Sequence, residues 1–372
     1  MTKVQLVSGL TRRKFCRFSL SSLSIPLLGL PLSGCGSMRS TGAGVQGIGG
    51  GAAALLLPLT GTAAAIGQNM GRAAGLATQG LAADKVPAIH DTRDTAEGAA
   101  EAARQALSNG ARLLLGPLRS DQTPAVLAVA GNVPVVTFSN DDALAEQGAF
   151  VMGITPTQSV STMFSYARAQ GKTRIALVAR NTPLGVASAT AARAVAAAGG
   201  IQLTAALLRE PGQGGMAAAL RQAGGGTLPD AVFLPDGGAA LAGFARDLAG
   251  IGVQLLGSVQ WGISNVTSEA GLKGAWFAAP PPDLFLPFAD RFAATFGTEP
   301  GIVAALGHDG ALMAVGLGNA RAMNRAGLLR DAGFTGVLGN FRFRDTGRCE
   351  RDLSVLRVEG EEIVVLGEVE GT

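Results

Sequence analysis

Short apolar runs alternate with longer stretches of helical periodicity along most of this chain. Between residues 52 and 156 the runs Ala52–Leu57, Val86–His90, Arg112–Leu115, Val133–Thr137 and Phe150–Thr155 predict strands. Helical patterns separate them over Ala63–Ala83, over Thr95–Ser108 with Asp94 as its N-cap, and after Ser120. These strands are continuously apolar, as in a parallel sheet covered on both faces. The alternation restarts at 157, with helices Gln158–Ala169, Gly185–Ala198, Gly215–Ala223 and Ala239–Gly250. Strands Arg174–Ala179, Ile201–Leu208, Ala231–Leu234, Val253–Gly257 and Gly274–Ala278 fall between and after them. Beyond Pro280-Pro281-Pro282 two helices follow, Asp283–Phe296 and Val303–Asn324. The chain ends in a β region, Gly339–Phe343, Leu353–Val358 and Ile363–Val369. The expected fold class is α/β, two doubly wound parallel-sheet lobes joined by crossover segments. Residues 52–156 and 281–330 are assigned to lobe I, and 157–280 and 331–372 to lobe II.

In such sheets small ligands bind at the carboxyl ends of the strands. Ser120, Ser139 and Asn140 stand at two such tips, Thr155 at the first passage between lobes, and Trp261 after the strand ending at Gly257. These five are the candidate ligand-binding residues. Ser120 serves equally as a helix cap, and Ser139-Asn140 equally as turn residues.

The first 34 residues change the charge picture. They carry five of the 30 Lys and Arg and none of the 27 acids, so the remainder holds 25 basic against 27 acidic residues. The basic balance therefore belongs to a leader, and no Lys/Arg cluster elsewhere suggests a nucleic-acid face. Residues 1–35 have the parts of a secretory signal: basic Arg12-Arg13-Lys14, an apolar Phe18–Leu32, and Leu32-Ser33-Gly34-Cys35. That last tetrad resembles a bacterial lipobox, with Cys35 as the acylated residue and the acyl chains as a membrane anchor. The Arg pair also resembles a twin-arginine export signal. Gly36, where the resemblance to Gram-negative lipoproteins places Asp for inner-membrane retention, favours the outer membrane. Residues 36–51 read as a flexible Gly/Ser tether. Their Gly42-x-Gly44-x-x-Gly47 is no dinucleotide fingerprint, since no strand precedes it.

The three Cys are Cys16, Cys35 and Cys349, so removal of the leader leaves no intrachain disulfide pair. Two His give no metal spacing, and neither a nucleotide-binding loop nor a nucleophile motif is present. No metal, cofactor or catalytic residue is expected; His308-Asp309 reads as a packed pair on an Ala-rich helix.

Several motifs then fall into one order. Leu56-Leu57-Pro58-Leu59-Thr60-Gly61 with Ile66-Gly67-Gln68 resembles the mature start of leucine/isoleucine/valine-binding proteins. Gly116–Ser120, Val133–Val136, Gly307–Ala311, Phe334-x-Gly336 and Phe341-x-Phe343 resemble later motifs of the same family, over residues 52–372. The resemblance implies a periplasmic binding protein-like fold of type I, with a hinge-closing clamshell of two lobes and three crossovers. It also implies hydroxyls for a ligand carboxylate, matched at Ser120 and Ser139, and acidic and aromatic groups for its ammonium. Here the sequence departs. Ile66 stands where an aromatic is expected, Thr155 where an acid is expected at the first crossover, and Ser258-Val259-Gln260 where another acid is expected. An ammonium without a carboxylate would lose its hydration uncompensated.

The departures, with the lipobox, resemble a divergent branch of penicillin-binding protein activators. That likeness implies a non-enzymatic, lipid-anchored, periplasm-facing domain whose partner is a peptidoglycan synthase. The alternative is the substrate-binding component of an ABC transporter, with a permease as partner and a branched-chain amino acid or other small polar solute as ligand.

Overall fold

A computed structural model of the chain describes residues 4–5, 52–262 and 266–371. Cys35, the tether and all of the leader except Val4–Gln5 lie outside them. Val4–Gln5 (β1) pairs antiparallel with the last strand.

The first lobe begins with β2 (Ala53–Leu57), α1 (Ala64–Ala77), β3 (Ala88–Asp91), α2 (Ala96–Ser108) and β4 (Leu113–Leu115). It continues through α3 (Thr123–Ala130), β5 (Val135–Thr137), α4 (Ala143–Glu146) and β6 (Phe150–Val151). The five strands form one parallel sheet in the order β3-β2-β4-β5-β6. Alternate residues of β2 point to opposite faces: Ala54 and Leu56 meet α2 and α3, while Ala53, Leu55 and Leu57 meet α1 and later helices. Both faces are apolar because both are covered.

The second lobe contains α5 (Pro156–Ala169), β7 (Arg174–Ala179), α6 (Pro183–Gly199), β8 (Gln202–Leu208), α7 (Met216–Ala223) and β9 (Ala231–Leu234). Next come α8 (Gly238–Asp247), β10 (Gln254–Gly257) and β11 (Trp276–Ala279). Strands β8-β7-β9-β10-β11 are parallel, and two late strands, β15 (Leu353–Glu359) and β16 (Glu362–Val369), extend the sheet antiparallel.

Between β11 and β15 the chain returns to the first lobe. The helices α9 (Pro282–Phe296) and α10 (Gly301–Asn319) bury Phe288, Phe292 and Leu306 in its core. By length and composition α10 could cross a membrane, but it is a core helix packed along α1. After the short α11 (Arg325–Leu328), the strands β12 (Phe334–Gly336), β13 (Gly339–Phe343) and β14 (Cys349–Arg351) make a small antiparallel sheet.

This small sheet corrects the expected division at residue 331. Phe334, Phe341, Phe343 and Cys349 lie in the first lobe's core, with Phe343 edge-on to Phe150 at 5.3 Å. Only 353–369 join the second sheet. On β13, Phe341 and Phe343 are buried while Arg342 between them is less so. A single apolar face of that kind must be covered, and the first lobe covers it.

Three segments therefore cross between lobes: 152–155, 280–281 and Asp352. They are fastened together. Arg351, fully buried, donates to the Met152 carbonyl at 3.1 Å and the Leu338 carbonyl at 3.4 Å, with its guanidinium over the Phe341 ring. Gln158 Nε2 donates to the Cys349 carbonyl at 2.6 Å. Gly339, at φ +99°, lies where a Cβ would come within 2.7 Å of the Asp352 carbonyl oxygen and 3.2 Å of Pro281.

Candidate functional site

The strand tips of both lobes face one cleft, a cavity of about 670 Å³. The first lobe lines it with Leu118, Phe138, Ser139 and Asn140, and the first crossover adds Gly153 and Ile154. Val259, Gln260 and Gly262 come from the second lobe. Ala279, Pro280 and Phe285 line it from the second crossover and α9, and Glu299 to Val303 from the start of α10. The volume lies within the usual range for small-ligand sites.

The tip at Ser139 is built from the residues before it. Thr137 Oγ1 donates to the Pro117 carbonyl at 3.0 Å, and the Phe138 amide donates to the same carbonyl. Thr123 and Thr137 hydroxyls lie 3.0 Å apart. This network ties strands β4 and β5 together just below the cleft. The Ser139 hydroxyl accepts from the Asp141 amide at 3.1 Å, so it is both a turn residue and a cleft-lining residue.

A recess of about 10 Å³ adjoins the cavity, sharing Asn140, Ile154, Val259 and Gln260 with it. Thr155, Ser159, Ser188 and Ser258 also line the recess. Thr155 is the N-cap of α5, where its hydroxyl accepts from the Gln158 amide at 3.3 Å and Gln158 reaches back to the Thr155 amide. Ser258 donates to the Pro235 carbonyl at 2.7 Å and accepts from the Gln260 amide. Ser188 is buried, and its hydroxyl has no partner among the described residues. Thr155 and the stretch Ser258-Val259-Gln260, where the resemblance leads one to expect acids, thus meet at one place.

Two candidates are not in this assembly. Ser120 is exposed, begins a 3-10 turn whose N-cap is Arg119, and its hydroxyl makes no hydrogen bond among the described residues. It neither caps α3 nor lines the cleft. Trp261 is 2% exposed; its indole stacks on Phe277 at 5.7 Å and its Nε1 donates to the Leu234 carbonyl at 2.9 Å. That ring belongs to the second core. Trp276 packs edge-on against Tyr166, the chain's single tyrosine, at 5.3 Å.

The residues missed from sequence are Gln260, Ser188, Ser159, Glu299 and, in the apolar wall, Phe285 and Ile302; Leu118 and Phe138 lie on strand tips that the sequence does mark. Gln260 had a signal, since it follows the same strand tip as Trp261. Ser159, Ser188, Phe285 and Ile302 come from helices, where nothing local marks a side chain as facing a cleft.

Among the described residues no Lys, Arg or His lines either space, and Glu299 is the one carboxylate, exposed beside the first turn of α10. His308 is turned elsewhere. It bonds Asp309, whose carboxylate accepts from the Val337 amide at 2.8 Å and the Leu338 amide at 3.1 Å, fixing the turn between β12 and β13.

A family model for periplasmic binding proteins matches residues 52–362. No curated protein matches the sequence. Among solved structures, the leucine-binding protein LivK of Thermotoga maritima is 19% identical with a TM-score of 0.61, over 86% of this chain and 98% of that one. An ABC transporter substrate-binding protein from Sphaerobacter thermophilus is 20% identical with a TM-score of 0.67, over 86% and 97%. The C-domain of LpoA from Haemophilus influenzae, a regulator of PBP1A, is 17% identical with a TM-score of 0.66, over 84% and 99%. At these identities the likeness is one of fold.

Proposed function

The chain belongs to the periplasmic binding protein family, and from that premise we propose that it is a non-enzymatic, lipid-anchored regulator of peptidoglycan synthesis. The family is one of binding proteins of the periplasm. One observation carries the narrower reading. The positions from which an amino-acid cage would be built hold Thr155 and Ser258-Val259-Gln260, with no acid among them and with the Thr155 and Ser258 hydroxyls engaged in capping or turn hydrogen bonds. The likeness to the LpoA C-domain, a regulator of PBP1A, supports a fold kept for protein contacts. Cys35 is the proposed site of acylation, with the outer membrane as the proposed address and a penicillin-binding protein as the proposed partner.

The test adds the purified lipoprotein to a bifunctional peptidoglycan synthase and follows glycan polymerisation and cross-linking. The expected outcome is direct binding and a faster synthase. A thermal-shift titration with leucine, isoleucine and valine decides against the proposal if it gives strong stabilisation. A ligand at 100 times its dissociation constant adds about 2.7 kcal/mol.

A second reading is solute capture for an ABC importer of branched-chain amino acids or a related small polar molecule. It is favoured by the 670 Å³ interlobe cavity and the likeness to LivK. Permease and ATPase genes beside the coding gene would support it.

A further inference from the structure

We propose that the first lobe carries a second site, at the end opposite the cleft, for the phosphate of an anionic phospholipid headgroup. The lipid as its source rests on the acylation of Cys35 proposed above; the affinity for phosphate does not.

The cleft lies at the carboxyl ends of the parallel strands, so the amino ends of β2 and β4 stand at the other end of the lobe. There a pocket of about 400 Å³ opens between Ala52 and Arg112, which precede those strands, and the last turn of α10. Asp84 and Lys85 enter it from the 3-10 turn Ala83–Lys85, and Arg321 follows α10. Lys85, Arg112 and Arg321 are exposed, and their side chains form no ion pair or hydrogen bond among the described residues. Asp84 is the one acid in the lining.

The carboxyl end of a helix carries about half an elementary negative charge, and part of this cationic excess answers it. The carbonyls at that end are nevertheless closed by the chain itself. Gly316 accepts from the Ala320 amide at 3.1 Å, Leu317 from the Ala322 amide at 2.8 Å and Gly318 from the Arg321 amide at 3.0 Å. Two guanidinium forks and one ammonium therefore keep their donors for a ligand. Guanidinium matches phosphate oxygens two at a time, and a concave surface of one sign focuses its field on an incoming anion.

The position of the pocket selects the source of that anion. Ala52 lies on its wall, and residues 36–51 separate Ala52 from Cys35. That linker spans at most about 55 Å when fully stretched. Acyl chains on Cys35 would hold this end of the lobe within that reach of the bilayer. Cations next to an anionic bilayer gain from its surface potential, and the gain fades within a Debye length.

The unacylated full chain is mixed with phosphatidylcholine vesicles, with and without phosphatidylglycerol, and bound protein is measured by flotation. Wild type is compared with the triple variant Lys85→Ala, Arg112→Ala, Arg321→Ala. A second triple variant, Arg193→Ala, Arg221→Ala, Arg246→Ala, removes three exposed cations from α6, α7 and α8 of the other lobe. The leader contributes equally to all three proteins. The first triple is expected to weaken binding to phosphatidylglycerol vesicles at least roughly tenfold, with an unchanged melting temperature, and the second to bind like wild type. Equal binding by wild type and the first triple, or an equal loss in both triples, overturns the proposal. Inorganic phosphate and glycerol 3-phosphate are titrated calorimetrically against the same proteins. Binding of both, lost in the first triple alone, supports the site. Tight binding of either, without any preference for phosphatidylglycerol vesicles, overturns the lipid as source. An unacylated Cys35 in cells would sink the anchor while leaving the vesicle contrast readable, and a failed contrast with Cys35 acylated overturns this site alone.

Discussion

Gln260 and Trp261 are neighbours in a 3-10 turn capped by Ser258, and the turn sends one side chain to the cleft and the other into the core. Gly257 makes the second placement possible, since a Cβ there would come within 2.2 Å of the indole. Trp261→Ala should therefore cost about 3–5 kcal/mol of unfolding free energy, as for other buried aromatics. Gln260→Ala should stay within about 0.5 kcal/mol, because its side chain supports nothing else. Urea titration of both variants checks the contrast; a mild Trp261→Ala would return that ring to the cleft. Sequence reading found Ser139 and Asn140 because a strand tip is fixed by the end of an apolar run. It misplaced Trp261 and Ser120 because facing inward or outward at a turn depends on which residue caps it, and periodicity is silent there.

At the scale of elements, the loop before α1 is held from outside itself. Asp91 accepts from the Leu59 and Thr60 amides and from the Thr60 hydroxyl at 2.7 Å. Asp94 accepts from the Thr62 hydroxyl at 2.5 Å and from the Ala63 amide, with Arg119 nearby. Asp94 was expected to cap α2. Instead it sits at φ 54° and reaches across to α1, while Thr95 caps α2 by accepting from the Gly98 amide. Burial opposes charge at Asp91, but the Thr60 hydroxyl and three backbone amides outweigh it and hold the carboxyl below its ordinary range. At Asp94 the Thr62 hydroxyl is the main cause of a lowered value, with partial burial opposing it and the Ala63 amide adding to it. Carboxyls lowered in the folded state contribute stability that is complete above their ordinary value of 3.8 and lost as pH falls through the folded values. The urea midpoint should thus fall steeply only below about pH 4, and Asp94→Asn should lower it at pH 7 while flattening that acid limb. An acid limb identical in wild type and Asp94→Asn would count against the loop's role.

For the whole molecule, the two α/β lobes were legible because each buried strand is a short apolar run bounded by helical periodicity. The allocation of 334–351 was not. Its alternation marks a one-faced sheet without naming the surface that covers it, and that surface includes Phe150, far away in sequence. Address and fold are separate properties, so Cys35→Ala should release the protein from membranes into the soluble periplasmic fraction with an unchanged melting temperature. Fractionation after expression in a Gram-negative host measures this, and a still membrane-bound Cys35→Ala would assign the anchoring elsewhere.

The fastening of the three crossovers limits what the lobes can do. Three separate linkers would let one lobe twist, slide or tilt against the other. Here Arg351 ties the third to the first, and Gly339 lets the second lie against the third, so the three are held side by side. If the three crossovers bend together, the coordinate left is the angle between the lobes. Any partner gripping both lobes and any molecule entering the cleft must act on that same angle. Where each binds one angle more tightly than another, each changes the other's affinity by an equal factor, however far apart their contact surfaces lie.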